Sequence, residues 1–318
     1  MKDVLLVGAG YMAREYAKVL RGIKQSYVVV GRGEESARTF EKETGEHVIR
    51  GGVSSFIEKQ TGIPHYAIVA VGVNELYETA MLLLEAGVKH ILLEKPGSKK
   101  LAEFQKMATE AKRQKAEISI AYNRRFYAST CTAQRYIVED GGVDSFHFDF
   151  TEWLHIFESQ GRLTEVLPYL FLGNSTHVVD LAFFLGGKPK ELTCYREESS
   201  CYRGICTSFS GAGRTEKGAL FSYQANWEAP GRWSVEILTH KRRLIFRPLE
   251  KLQVQKMKTI RTDFIDIDYT LDEKYKPGLF LETQSFLEHD EMFADLCSLQ
   301  EQIEMMTIYQ MMVGLADK

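Results

Sequence analysis

Four short apolar runs, residues 4–7, 27–30, 67–71 and 91–93, are each too brief for a helix and lack polar alternation, as strands buried on both faces of a sheet would. Weaker runs near 47–49 and 117–121 read the same way. Between them lie stretches of helical spacing: from the glycines at 8 and 10 to about residue 20, then about 34–44, 54–60, 74–86 and 100–114. In the fourth of these Leu76, Ala80, Leu83 and Leu84 line one face. Six strands separated by helices over about 120 residues predict a parallel, doubly wound sheet.

The pattern then changes. A helix is expected from Arg124 to about residue 139, stopped by Gly141-Gly142. Residues 143–153 alternate apolar and polar and read as one half-buried strand. Residues 154–172 mix charges, aromatics and Pro168, and read as an irregular pocket rim. A helix over 174–185 precedes strand after strand: about 190–196, 205–210, 218–227, 233–239, 242–247 and 252–256. Gly211-Ala212-Gly213 and Glu228-Ala229-Pro230-Gly231 read as turns, and the strands fit one largely antiparallel sheet. Lys276-Pro277-Gly278 ends this part. Two helices follow, about 280–289 and 298–313, the second with a core stripe of Ile303, Met306, Ile308 and Met311.

Composition narrows the class. A chain of 318 residues with 44% apolar content can build two domains with real cores, and the pattern divides it at 1–121 and 122–318. A net charge of −3 gives no electrostatic case for nucleic acid or an anionic membrane. No apolar run is long enough to span a bilayer. The start, Met1-Lys2-Asp3 and the apolar residues after it, resembles a signal peptide only briefly before Gly8 interrupts it. The five cysteines form no CxxC pair, and no metal site is expected. A cytoplasmic protein is the expectation.

Gly8-Ala9-Gly10-Tyr11-Met12-Ala13 has the G-x-G-x-x-A form of a dinucleotide-binding turn, between a strand and a helix as that motif requires. Gly8 permits the tight turn. Gly10 lets backbone approach a pyrophosphate seated on the helix amides, and Ala13 allows close helix–sheet packing. The second strand ends in Gly31-Arg32-Gly33, with no acid to bond ribose hydroxyls. Gly31 removes a repulsive carboxylate and Arg32 can meet a 2′-phosphate, with Ser36 as a further hydroxyl, so NADP is favoured over NAD. The fifth strand ends in Glu94-Lys95-Pro96, which holds Lys95 at a strand's carboxyl end, where such sheets bind ligands. On the helix at 174–185, His177 and Asp180 share a face, and the acid can orient the imidazole or bond substrate. Trp227, Arg232 and Trp233 cluster in sequence at a hairpin end; aromatic faces suit sugar C–H surfaces, and arginine suits a carboxylate or phosphate. A sheet or oligomer contact is the equal alternative for that cluster.

These marks, with Ala70-Val71-Gly72-Val73-Asn74, Tyr122-Asn123-Arg124-Arg125-Phe126 and His177-Val178-Val179-Asp180 closed by Leu185-Gly186-Gly187, resemble the glucose-fructose oxidoreductase, inositol dehydrogenase and rhizopine-catabolism (Gfo/Idh/MocA) family over essentially the whole chain. The resemblance implies a Rossmann domain binding NAD(P), followed by an α+β domain with an open sheet. One face of that sheet carries a sugar pocket and the other often a homodimer or homotetramer contact. It implies hydride transfer between nicotinamide and a carbinol carbon of a sugar or cyclitol. By the same resemblance Lys95 lies near the reacting hydroxyl and His177 serves as acid/base. Val71, Asn74 and Glu94 are cofactor-side positions, with Tyr11 and Met12 in the turn. Asn123, Arg124 and Asn174 belong to the substrate segments. Arg124, Arg125 and Arg232 together suggest an acidic or nucleotide-linked sugar. The chain departs from the family where an acid often stands four residues before the histidine, at Gly173, and where Val73 and Tyr77 replace proline and histidine. The departure at Gly173 keeps a second reading open, a catalytically silent NADP-binding regulatory or sensor protein of the same fold. A third is an NADP enzyme acting on an imine or a biliverdin-like molecule.

Overall fold

The structure is a computed structural model and describes residues 4–59, 62–199, 201–202, 204–288 and 295–314. Gln60 and His289, the ends of two predicted helices, and Met1, Lys2 and Asp3 lie outside the described residues. The described residues form two compact units, one from residues 4–126 and 270–306, the other from 127–269 and 307–314.

The first unit opens with β1 (Val4–Val7), α1 (Tyr11–Gly22), β2 (Tyr27–Gly31), α2 (Glu34–Thr44), β3 (Val48–Arg50), α3 (Gly52–Lys59), β4 (Tyr66–Val69), α4 (Leu76–Glu85), β5 (His90–Glu94), α5 (Leu101–Gln114) and β6 (Glu117–Ala121). These strands are parallel and run β6-β5-β4-β1-β2-β3 across the sheet. β1 pairs in register on both sides, Val4 with Tyr27 and with Tyr66, and every residue of β1 and β4 is buried. That is why these runs show no polar alternation. The order reverses between β1 and β4, so a crevice opens at their carboxyl ends.

A single turn of 3₁₀ helix, Asn123–Phe126, closes this stretch and separates it from α6 (Ala128–Asp140). The one helix expected from residue 124 is therefore two pieces. The second unit continues with β7 (Ser145–Asp149), α7 (Leu154–Ser159), α8 (Leu163–Val166), a 3₁₀ turn at Leu167–Tyr169, a turn of π-helix at Phe171–Ser175 and α9 (Thr176–Gly186). The predicted irregular rim is thus a chain of short helical turns, and the strand expected over 143–153 pairs only over Ser145–Asp149. Then follow β8 (Pro189–Glu198), β9 (Cys206–Thr215), β10 (Leu220–Asn226), β11 (Ser234–Leu238), β12 (Arg242–Phe246), β13 (Gln253–Lys256) and β14 (Thr262–Phe264). Among the described residues they form an eight-stranded sheet, β14-β13-β12-β11-β7-β10-β9-β8, antiparallel except where β10 runs parallel to β7.

Gly211-Ala212-Gly213 lies inside β9 rather than at a turn. A Cβ on Gly211 would stand 2.5 Å from the Tyr223 ring, and one on Gly213 would stand 2.6 Å from Phe221 and 1.9 Å from the Glu191 carbonyl oxygen. The glycines are there to let aromatic rings of β10 cross β9. Those rings belong to one core: Phe146 stacks on Phe221 at 5.3 Å, Phe148 on Tyr223 at 5.4 Å, and Phe183 of α9 meets Phe146 edge-on at 5.9 Å. The other face of β8–β10 exposes Tyr195 and Leu220 among polar residues.

The chain returns to the first unit with α10 (Thr270–Lys274), α11 (Leu279–Glu288), β15 (Cys297–Ser298) and the start of α12 (Leu299–Val313). β15 adds an antiparallel edge to β6. In α12, Met306 is buried and Met311 is 45% exposed, so the predicted core stripe fades toward the helix end. No helix among the described residues is long and apolar enough to cross a membrane.

Candidate functional site

In the first unit the turn after β1 is built for a close approach. Gly8 has φ +117°, and a Cβ there would sit 2.2 Å from the carbonyl oxygen of Ala70, just past β4. The two strand ends are tied by Gly8 N–H donating to Val30 O at 2.8 Å and Ala70 N–H to Val7 O at 2.8 Å. Gly10 is the N-cap of α1, no side chain caps that terminus, and a Cβ on Gly10 would meet no atom within 4 Å. The protein therefore leaves room in front of the helix amides, which is what a pyrophosphate needs. Ala13 is fully buried against the sheet, Met12 half-buried, and Tyr11 57% exposed beside the same turn. The residues present fit a dinucleotide.

Gly31 closes β2 under steric constraint: its Cβ would lie 2.9 Å from Val48 and 3.2 Å from Ala9. Packing alone disfavours an acidic side chain there. Arg32 is exposed and paired with Glu75, and Ser36 Oγ donates to Gly33 O at 3.0 Å. Asn74 is exposed and accepts from Lys99, while Val71 is half-buried after β4.

At the tip of β5 the chain turns through Glu94-Lys95-Pro96-Gly97, with a cis Lys95–Pro96 peptide and Gly97 N–H donating to Glu94 O at 3.0 Å. The buried Gln302 amide donates to Pro96 O at 3.4 Å and fixes the turn from behind. The fully buried Tyr16 hydroxyl lies 3.1 Å from Glu94 Oε1 and 3.3 Å from Glu282 Oε2. Desolvation pushes the Glu94 carboxyl up, against the pull of Lys95, Tyr16 and Lys276. Burial and both acids push the Tyr16 phenol well up, so it remains a donor.

The other substrate-side residues of this unit divide. Asn123 is buried and donates to Pro277 O at 2.9 Å, an anchor for the turn at 276–278. Arg125 is 3% exposed and bonds Glu301 at 2.7 Å, so it is committed within the unit and offers nothing to an anionic ligand. Arg124 is half-buried.

In the second unit Asn174 lies in the turn before α9 and His177 and Asp180 in the first half of that helix, both buried rather than on the surface. A residue that the sequence reading did not single out organises this region. Glu152, 1% exposed, accepts from Ser175 Oγ at 2.7 Å, Asn174 Nδ2 at 2.8 Å and Trp233 Nε1 at 3.2 Å, with Arg232 Nη1 at 3.6 Å. Burial pushes its carboxyl up to about 7, although Ser175, Arg232, Asn174 and Trp233 all pull it down. The signal was present: Glu152 is in phase with Phe146, Phe148 and Phe150, all buried, so an acid falls where the alternation calls for another core side chain. The Arg232 guanidinium carbon lies 4.7 and 4.2 Å from the ring centroids of Trp153 and Trp233. His177 faces Trp233 with ring centroids 6.5 Å apart. Trp227 does not join this cluster; it is buried against Phe209 at 5.1 Å, and its indole donates to Phe150 O at 3.3 Å.

A strand-turn-helix at a sheet's switch point, open in front of uncapped amides, defines a nucleotide-binding α/β protein. Residues 2–122 match the model of the Gfo/Idh/MocA oxidoreductase family, NAD-binding Rossmann fold. Solved structures extend the likeness in fold over nearly the whole chain. Levoglucosan dehydrogenase in complex with NADH and levoglucosan is 19% identical, with TM-score 0.76, covering 99% of this chain and 96% of that one. An inositol dehydrogenase homologue complexed with NAD+ from Azotobacter vinelandii is 15% identical, with TM-score 0.75 and coverage of 99% and 95%. UDP-N-acetylglucosamine 3-dehydrogenase from Acidithiobacillus ferrooxidans is 15% identical, with TM-score 0.75 and coverage of 99% and 97%. No curated protein sequence matches the chain.

Proposed function

We propose that this protein transfers a hydride between a nicotinamide cofactor and a carbinol or keto carbon of a sugar or sugar derivative, with NADP preferred to NAD. The observation that carries the reading is the turn after β1. Position 8 admits only a glycine against Ala70, and Gly10 faces open space before the α1 amides, in the same sheet whose β5 tip carries Lys95. When bound, the nicotinamide supplies or accepts the hydride; the chain binds, orients and moves the proton. Gly8, Gly10, Tyr11 and Met12 take the pyrophosphate side, Gly31 and Arg32 the adenosine ribose, and Val71, Asn74 and Glu94 the nicotinamide side. Lys95 holds the reacting hydroxyl, and His177, oriented by Asp180, exchanges its proton. Asn123, committed to Pro277, acts by shaping the segment that carries Arg124; Asn174 bonds substrate or positions the head of α9.

The names of the similar structures support a sugar-type substrate. Arg232, close to two indole rings and with 43% of its side chain exposed, favours one bearing a carboxylate or phosphate, nucleotide-linked sugars included. We read the exposed face of β8–β10 as a contact between copies, a homodimer or homotetramer. Calorimetry with NADPH and NADH, followed by turnover on levoglucosan, myo-inositol and UDP-N-acetylglucosamine, tests the reading. Nucleotide binding without turnover on any sugar or keto-sugar would favour a regulatory protein of the same fold.

A further inference from the structure

The second unit lacks an acid where the family resemblance leads one to expect it, at Gly173, four residues before His177. It has an acid elsewhere that nothing in the reading above employs. Gly173 lies in the π-helical turn Phe171–Ser175, and a Cβ on it would meet no atom within 4 Å. The next two residues, Asn174 and Ser175, both donate to the carboxylate of Glu152. Glu152 stands three residues past the end of β7, at the level where that strand's inward-facing row of phenylalanines stops. One carboxylate thus ties two further pieces of chain to its own: the turn before α9, through Asn174 and Ser175, and the Arg232-Trp233 segment just before β11.

We propose that Glu152 is the acidic positioning residue of the sugar pocket, supplying from the end of β7 the negative charge that position 173 does not carry. This rests on the oxidoreductase reading. It acts through the residues it holds. Bonds to Asn174 and Ser175 set the turn that leads into His177, and the bond to Trp233 sets the ring that His177 faces. The ion pair with Arg232 keeps one edge of the guanidinium turned inward, leaving the other edge for the ligand. The charged and titratable groups around it are Arg232, on the loop before β11, and His177, on α9 beyond Trp233. Burial places its titration near neutrality, where a change of charge alters all of these contacts at once.

The test uses the full chain and has two readouts. In infrared pH-difference spectra, the wild type should lose a buried carboxylic-acid C=O band as pH rises through about 7, and Glu152→Gln should lack that step. Ser175→Ala removes one donor to the anion and should move the step to higher pH; an unmoved step, or the same step in Glu152→Gln, overturns the proposal. In turnover on whichever of levoglucosan, myo-inositol or UDP-N-acetylglucosamine is oxidised, Glu152→Gln should lower kcat at least ~10-fold with a smaller change in KM. Gly173→Asp placed in the Glu152→Gln background should recover much of that loss. A merely structural glutamate would not be rescued by a carboxylate on another element, so absence of rescue, or kcat within about twofold of wild type in Glu152→Gln, contradicts the proposal. If no sugar is turned over, the functional reading fails by itself and the infrared step decides for Glu152.

Discussion

Arg32, at the end of β2, is paired with Glu75, which lies between β4 and α4. The side chain proposed to select a 2′-phosphate is therefore already partnered, and the phosphate must compete with a carboxylate. Exposed ion pairs contribute at most ~1 kcal/mol, so the competition is modest. Glu75→Gln should tighten NADPH by about three- to fivefold and leave NADH nearly unchanged. Arg32→Ala should weaken NADPH by about tenfold or more and spare NADH. Calorimetric titration of both variants with both nucleotides checks this; equal effects on the two would remove Arg32 from cofactor selection.

Gly8 and Gly10 are separated by one residue and should respond oppositely to alanine. At Gly8 the added methyl collides with the Ala70 carbonyl at a φ that alanine avoids, so the variant should lose ~1–3 kcal/mol or more of stability. At Gly10 no protein atom lies within 4 Å, so stability should stay within ~0.5 kcal/mol while nucleotide affinity falls about tenfold or more. Urea denaturation and nucleotide titration of the two variants separate a constraint of folding from a constraint of binding.

The Tyr16 hydroxyl lies against two carboxyl groups, and its single proton can go to only one at a time. Tyr16→Phe removes this one shared donor from the two buried carboxyl groups and should cost ~1–3 kcal/mol. A urea midpoint unchanged from wild type would show that other partners satisfy both acids.

Glu94 and Glu152 both have folded-state pKa values raised above the ordinary 4.5, Glu152 to about 7. Below pH 4.5 each is protonated in the folded and the unfolded chain alike. Between that value and the folded pKa, the native state binds the extra proton, so their contribution to stability falls as pH rises. For Glu152 the loss runs from about pH 4.5 to about 7 and is then complete. Glu152→Gln should flatten this slope, so its stability relative to wild type improves from pH 5 to pH 8. Urea melts at the two pH values check the sign; a variant that loses ground as pH rises would contradict it.

Much of this was legible in the chain. The first sheet declared itself because strands buried on both faces leave uninterrupted apolar runs, and α2 was read at Glu34–Thr44, as observed. Legibility failed where a residue type serves two purposes. Glycines in Gly211-Ala212-Gly213 read as a turn but make room for Tyr223 and Phe221. Glu152 was passed over within a stretch read as one half-buried strand, yet it continues the buried phase of Phe146, Phe148 and Phe150. Arg125 read as a ligand for anions, but its partner Glu301 is remote in sequence, and no local pattern announces such a pair. Trp227 and Trp233 are six residues apart and look alike in sequence, but one fills the core against Phe209 and the other bonds Glu152.

Lys95 gives the central claim its most direct measurement. Wild type and Lys95→Met should bind the same nicotinamide cofactor with similar affinity in calorimetry. In a single-turnover experiment with levoglucosan, myo-inositol or UDP-N-acetylglucosamine, wild type should form reduced nicotinamide, and Lys95→Met should do so at least ~10²-fold more slowly. Failure of wild type to bind either nucleotide, or equal rates for the two proteins, would contradict the account.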